Sequence, residues 1–254
     1  MAYPILKPEH PDAALNELCA LAVMAKAPRP GKVKTRLSPP LTPEQAAAIN
    51  ICFLKDTTEN IQAVAAEGRC AGVISYTPVG DEALFEGIFP EPFVFVAQRG
   101  DGFGERLLAS AEDILACGFG AVCLIDSDSP SVPAAAFQQA VEELARPGDR
   151  IVLGGSQDGG YYLIGLKQAH AEPFANITWS TSSVYAVTVA AVRAAGIELV
   201  ELPLWYDVDD AATLKILSDE LLDGVRPEFA SVEGYASPHS KEFLQAYRDG
   251  QPVA

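Results

Sequence analysis

Short apolar runs alternate with longer stretches of helical periodicity along most of this 254-residue chain. That alternation restricts it to an α/β fold built on a mostly parallel sheet. Apolar runs predict strands over 18–25, 71–76, 93–97, 121–125, 151–153, 161–166 and 197–202. A long helix is expected between the first two. It opens with Thr42-Pro43-Glu44-Gln45, which combines an N-cap, a proline at the first helical position and a capping-box glutamine. Ala46, Ile49, Phe53, Thr57, Ile61 and Val64 follow at spacings of three and four, the stripe a helix buries on a sheet. Further helices are predicted over 105–116, 133–144, 182–194 and 210–222. Only a glycine-rich turn separates the strands at 151–153 and 161–166, so one antiparallel element should interrupt the parallel order. The expected division is an N-terminal extension over 1–17, one domain over 18–222 and a peripheral C-terminal extension over 223–254 with a short helix near 242–248.

Charge narrows the function classes. Eighteen Lys and Arg against 34 Asp and Glu give a net charge of -16, so the surface should repel nucleic acid and anionic membranes. No apolar run approaches the roughly 18 residues of a membrane span. The N-terminus lacks the basic and apolar regions of a secretory signal, and a cytoplasmic protein is expected. The five cysteines contain no C-x-x-C pair, which argues against a zinc site or disulfide framework and for small core residues.

Against that acidic background, Lys26, Arg29, Lys32, Lys34 and Arg36 fall within 11 positions directly after the first strand, where even scattering would place about one basic residue. Loops at the C-terminal ends of strands are where open α/β sheets bind ligands. Lysine offers point charge and arginine a bidentate fork, so phosphate is the natural guest, with Thr35 as a further candidate contact. The loop matches neither the Walker A pattern nor G-x-G-x-x-G.

Two acidic clusters complement it. Asp126-Ser127-Asp128-Ser129-Pro130 follows the apolar run 121–125, and Asp207-Val208-Asp209-Asp210 lies between a strand and a helix. Paired carboxylates at strand ends suit Mg²⁺, which takes one or two of them together with substrate phosphates. Asp and Ser before a proline are also ordinary turn residues, and Asp209 or Asp210 would serve as a helix N-cap.

Three loops complete the candidates. In Gly154-Gly155-Ser156-Gln157-Asp158-Gly159-Gly160 the glycines permit positive φ or close approach of a ligand. Asp158 there is either a turn-stabilising residue or a carboxylate aimed at a substrate hydroxyl. The loop from Gln98 to Gly104 is placed to read a nucleobase through Gln98 and backbone groups. Trp179-Ser180-Thr181 precedes a helix, with Thr181 as its expected N-cap and Trp179 as a cleft wall. The three histidines receive no role.

K-A-P-R-P-G-K-V-K-T-R-L at 26–37, D-S-D-S-P at 126–130, D-G-G-Y-Y-L-I-G-L at 158–166, W-S-T at 179–181 and D-V-D-D at 207–210 together resemble the rSAM/selenodomain-associated transferases. That family is similar to GT-A glycosyltransferases and to 2-phospholactate guanylyltransferases, whose K-T-R-L-x-P-x-L segment residues 34–41 resemble. The resemblance spans roughly 18–222. It implies a single-domain GT-A, or nucleotide-diphospho-sugar transferase, fold with the basic loop at the phosphates and Asp128 and Asp209 as metal ligands. One departure stands out: where the family pattern reads G-S-D-C-P-D-L, this chain has Asp126-Ser127-Asp128-Ser129-Pro130-Ser131-Val132, which puts an acceptor contact near Ser131 in question.

The expected function is a Mg²⁺- or Mn²⁺-dependent transferase that uses a nucleotide-sugar donor and a small-molecule acceptor and displaces a phosphate-bearing leaving group. Asp128 and Asp209, helped by Asp126 or Asp207, would hold the cation. Lys26, Arg29, Lys32, Lys34, Thr35, Arg36, Gln98 and Gly104 would take the nucleotide and its phosphates, with Lys34 and Arg36 stabilising developing charge. Asp158 would orient or deprotonate the acceptor, beside Gly159, Gly160, Trp179, Ser180 and Thr181. Nucleotidyl transfer from a nucleoside triphosphate shares this constellation and is the alternative. A strand followed by D-x-D also opens haloacid-dehalogenase-type phosphatases, but here it falls mid-chain behind a basic loop that such an enzyme leaves unexplained. A non-catalytic phospho-ligand module is the remaining reading.

Overall fold

The computed structural model describes residues 3–253. Its seven strands are β1 (Cys19–Lys26), β2 (Cys70–Thr77), β3 (Val94–Ala97), β4 (Ala121–Ile125), β5 (Arg150–Ser156), β6 (Tyr161–Leu166) and β7 (Glu198–Trp205). They form one sheet in the order β3-β2-β1-β4-β6-β5-β7. All neighbours pair in parallel except β6, which runs antiparallel to both β4 and β5, as the glycine turn at 157–160 predicts.

Both faces of the sheet are covered, which is why the central strands read as unbroken apolar runs. Leu21, Val23 and Ala25 of β1 point into one core, and Ala20 and Ala22 into the other. The helices are α1 (Pro43–Ala65), α2 (Phe103–Ala116), α3 (Ala134–Ala145), α4 (Val184–Ala194), α5 (Ala211–Asp223) and α6 (Pro238–Arg248). The capping box that opens α1 forms in full: Thr42 N–H donates to Gln45 Oε1 at 2.9 Å and Gln45 N–H to Thr42 Oγ1 at 3.2 Å.

Beyond its predicted stripe, α1 also buries Asn50, Asp56, Thr58 and Asn60, and at Asp56 a second layer covers it. That layer is the C-terminal segment. Phe243 and Leu244 of α6 join the main core, and the backbone N–H groups of His239 and Ser240 donate to Asp56 at 2.9 and 2.8 Å. A side chain of α1 thus caps the first turn of α6. The segment leading to α6 runs behind the 126–131 loop, where Tyr235 N–H donates to Ser131 O and Ser237 Oγ to Pro130 O. The C-terminal segment is therefore built into the core rather than peripheral to it.

The expected N-cap of α4 is displaced. The helix starts at Val184 with Ser183 at the cap position and no side-chain capping bond; Thr181 Oγ1 instead donates to Thr178 O at 2.7 Å. Asp210 does cap α5, accepting from Ala212 and Thr213 N–H. Among the described residues no helix is long and apolar enough to cross a membrane. All five cysteines are free, and four of them are buried.

Candidate active site

Because β1 and β4 are adjacent and parallel, the loops leaving their C-terminal ends emerge side by side, the location where open α/β sheets bind ligands. The β7–α5 connection reaches the same place, since Val208 N–H donates to Asp128 O at 2.8 Å. The basic loop and both acidic clusters therefore meet.

Lys34 is the meeting point. Its Nζ lies 2.8 Å from Asp128 Oδ1, 3.0 Å from Asp209 Oδ1 and 2.7 Å from Val208 O. Its side chain is only 4% exposed, and its backbone adopts the left-handed conformation (φ 46) that a lysine rarely takes. Burial alone would lower the lysine's pKa, but Asp128 and Asp209 together hold it above the usual range. Arg36 adds a weaker, exposed contact to Asp209 Oδ2 at 3.4 Å. Since an oxygen of Asp128 and one of Asp209 converge on a single cationic atom, the pair fits a hard cation.

Two cavities open on either side of this junction and share Arg36, Ser127, Asp128 and Asp209. The smaller, about 260 Å³, is walled by Lys26, Lys32, Lys34, Thr35 and Arg36. Asn50 of α1 lies at its floor, 4% exposed, and its Oδ1 is buried without a hydrogen-bond partner. An orphaned buried acceptor costs stability unless something pairs with it, so Asn50 is an uncharged polar group of the basic cavity left without a partner for Oδ1. Sequence reading missed it, because an isolated asparagine on an amphipathic helix gives no signal.

The larger cavity, about 570 Å³, gathers Asp126, Asp128, Asp158, Asp207 and Asp209, with Arg36 as its one basic side chain. Asp126 accepts from Asp128 N–H and Ser129 Oγ at 3.3 and 2.8 Å. Burial, then the charges of Asp128 and Asp207, push its carboxyl well above the ordinary range. Asp207 accepts from Ser156 Oγ at 2.9 Å; burial, followed by Asp158 and Asp209, pushes it up to about 6. Asp158 Oδ1 accepts from Gly160 N–H at 2.7 Å, so it stabilises its turn and also lines the cavity. Gly160, Trp179, Ser180 and Thr181 lie on the same wall. Trp179 meets Phe103 and Tyr161 edge-on, with centroids 5.1 and 6.3 Å apart.

Four predicted contacts lie elsewhere. Arg29 turns outward to form a bidentate pair with Asp81 at 2.6 and 2.8 Å, and it lines neither cavity. Gln98 Nε2 donates to Ser75 O at 2.7 Å, which ties the β3–α2 loop to β2 instead of presenting an amide to a base. Gly104 is the seat of Trp179: a Cβ there would lie 2.6 Å from Trp179 Nε1. Gly159, at φ 92, faces the backbone of Ser182, whose oxygen would be 2.0 Å from an added Cβ. This loop needs glycine for chain-to-chain packing as well as for ligand access. Ser131, whose acceptor contact was in question, donates to Glu220 Oε2 at 2.9 Å within a buried network with Trp205 and Tyr206.

One further group of metal-ligand type escaped sequence reading. Asp56, Glu59 and His239 place ligand atoms within 4.8 Å of one another, uniting residues of α1 and α6 that are far apart in the chain. Asp56 is already occupied as the cap of α6, and His239 Nε2 pairs with Glu59 at 2.7 Å, so this cluster reads as a structural clasp.

No curated protein matches the sequence. A family model described as an uncharacterized protein conserved in bacteria (DUF2064) matches residues 60–181. Among solved structures, a provisionally assigned nucleotide-diphospho-sugar transferase from Desulfovibrio desulfuricans G20 is similar at 29% identity and a TM-score of 0.72, over 91% of this chain and 98% of that one. A CMP:2-keto-3-deoxy-manno-octonic acid synthetase complexed with CTP aligns at 10% identity and a TM-score of 0.53, over 82% of this chain and 100% of its own. A cytidylyltransferase from Leptospira borgpetersenii aligns at 9% identity and a TM-score of 0.52, over 91% and 94%. The chain therefore has the nucleotide-diphospho-sugar transferase fold, with residues 60–181 matching the DUF2064 family model.

Proposed function

We propose that this chain transfers a glycosyl group from a nucleotide-diphospho-sugar to a hydroxyl of a small acceptor. The observation that carries the reading is the pair of cavities of opposite character that meet at Asp128 and Asp209. The donor's diphosphate suits the basic side, where Lys26, Lys32, Lys34 and Arg36 face it and Thr35 and Asn50 supply polar contacts. The acceptor suits the acidic side, because carboxylates there disfavour a phosphorylated molecule and accept hydrogen bonds from hydroxyls. Trp179 gives that side an apolar wall.

Asp128 and Asp209 would hold a divalent cation, with Asp126 and Asp207 behind them; Mg²⁺ or Mn²⁺ bound there would neutralise charge on the leaving diphosphate. The chain's own groups do the rest. Asp158 is fixed by its bond to Gly160 N–H and leaves its second oxygen to take the acceptor's proton. The acceptor oxygen then bonds to the anomeric carbon as that carbon's bond to the phosphate oxygen breaks, and the nucleoside diphosphate departs with the electron pair. Lys32 and Arg36 stabilise it; removing one such positioned charge costs about 3 kcal/mol in barrier, roughly a hundredfold in rate.

The same four cations suit a triphosphate, so nucleotidyl transfer is the second reading. Both oxygens of Asp126 are engaged by neighbouring residues and its carboxyl is held toward the neutral form, which speaks against a phosphatase nucleophile at that position. A thermal-shift panel of nucleotide-sugars and nucleoside triphosphates, with and without Mn²⁺, followed by product analysis, tests the choice. Release of a nucleoside diphosphate from a nucleotide-sugar supports glycosyl transfer. Pyrophosphate release from a triphosphate overturns it in favour of the second reading, and ligand affinity without turnover on any nucleotide overturns both.

A further inference from the structure

Lys34 does more than line the basic cavity. An ammonium has three protons to donate, and here each has an acceptor, Asp128 Oδ1 at 2.8 Å, Asp209 Oδ1 at 3.0 Å and Val208 O at 2.7 Å. The side chain is almost wholly shielded, and Phe53 lies beneath it with its ring centroid 5.5 Å from Nζ. Asp128 and Asp209 come from different loops that the bond from Val208 N–H to Asp128 O already joins, and the ammonium sits between their two carboxylates. A second cation between the same two oxygens would stand in like-charge contact with it.

Resting on the reading of Asp128 and Asp209 as cation ligands, we propose that Lys34 is a tethered plug: its ammonium competes with the divalent cation for this carboxylate pair and leaves it for the donor's phosphates. Lys34 borders the basic cavity beside Lys32 and Arg36, so phosphate oxygens are the nearest alternative anions for an ammonium that gives up its aspartates. Cation and donor then load together. By linkage, whatever factor the donor adds to cation affinity, the cation adds to donor affinity. The protein alone should hold the cation poorly, which guards the donor site against filling by metal without substrate.

The test is direct Mn²⁺ binding by the full chain, followed by calorimetry or electron paramagnetic resonance without nucleotide. Lys34→Met should bind Mn²⁺ at least tenfold more tightly than the wild type. Arg36→Met is the control for charge alone: it removes a cation from the other oxygen of Asp209 but not from between the carboxylates, and should change affinity less than threefold. A second measurement uses only wild-type protein. Lys34 should resist amine acylation, read by peptide mass spectrometry, and become severalfold more reactive when Mn²⁺ saturates the site. Equal Mn²⁺ affinity in wild type and Lys34→Met, an equal gain in Arg36→Met, or Lys34 still shielded at saturating Mn²⁺ would each overturn the plug while leaving the cation ligands standing. No Mn²⁺ binding by either the wild type or Lys34→Met at millimolar concentration would overturn the plug and the ligand assignment together.

Discussion

Replacing Gly104 by alanine tests how the acceptor wall is held. The glycine lies in the first turn of α2 with an ordinary helical backbone, so alanine there should by itself gain up to about 1 kcal/mol of helix propensity. The structure opposes that gain: the new methyl would sit 2.6 Å from Trp179 Nε1 and 2.9 Å from two further ring atoms. The indole must withdraw by about 1 Å to reach ordinary contact distance. Overpacking of this kind costs about 1–3 kcal/mol, and the two edge-on ring contacts to Phe103 and Tyr161 are worth about 0.5–1.5 kcal/mol each. The net expectation is a loss of about 1–4 kcal/mol in urea unfolding. Fluorescence reports the site itself, because the chain has two tryptophans and Trp205 is fully buried, leaving Trp179 as the one acrylamide can reach. Its emission should shift to the red and quench more readily in Gly104→Ala. In a Trp179→Leu background the alanine should cost nothing or stabilise, giving a coupling of at least about 1 kcal/mol. An equal cost in both backgrounds would refute the claim that the indole is what Gly104 accommodates.

Asn50→Leu should stabilise the protein without ligand by about 1 kcal/mol or more, since it removes an unpaired buried acceptor, while weakening donor binding at least tenfold; chemical unfolding and donor titration read the two effects, and unchanged donor affinity would clear Asn50 of a binding role. For Asp207 the sign is fixed by its raised folded pKa of about 6. The folded state holds a proton that the unfolded chain releases near pH 4, so this group's contribution is most favourable below about pH 4 and is lost as pH rises through about 6. In chelator-containing buffer Asp207→Asn should therefore gain on the wild type across that window, by at most about 3 kcal/mol, as thermal melts at successive pH values would show. Asp56→Ala removes the cap of α6 and strands two backbone donors, which predicts a loss of about 2–4 kcal/mol with hydrogen-exchange protection falling first over 238–248. Unaltered protection there would mean that apolar packing alone holds the helix.

The element order was legible from the sequence because periodicity, capping and turn chemistry are local. The run 121–125 became β4 residue for residue, the Thr42–Gln45 box opened α1, and the glycine turn marked the antiparallel β6. The partners in the site were legible only as charge types. Five like charges repel one another and call for counterions, so the cations after one strand and the two acidic clusters after others implied a shared pocket. Which atoms meet was decided by the sheet order, which sets β1 beside β4, and by the β7–α5 connection, which Val208 N–H ties to Asp128 O so that residues 34, 128 and 209 come to one point. The same long-range packing turned Arg29 outward to Asp81, gave Gly104 to Trp179 and Gly159 to Ser182, and folded α6 over α1 so that Asp56 became a cap. A side chain's chemistry is written in its own position, but its partner is set by chain closure across tens to hundreds of residues. Only tertiary structure therefore decided that Lys34, among five similar cations, lies between the two aspartates.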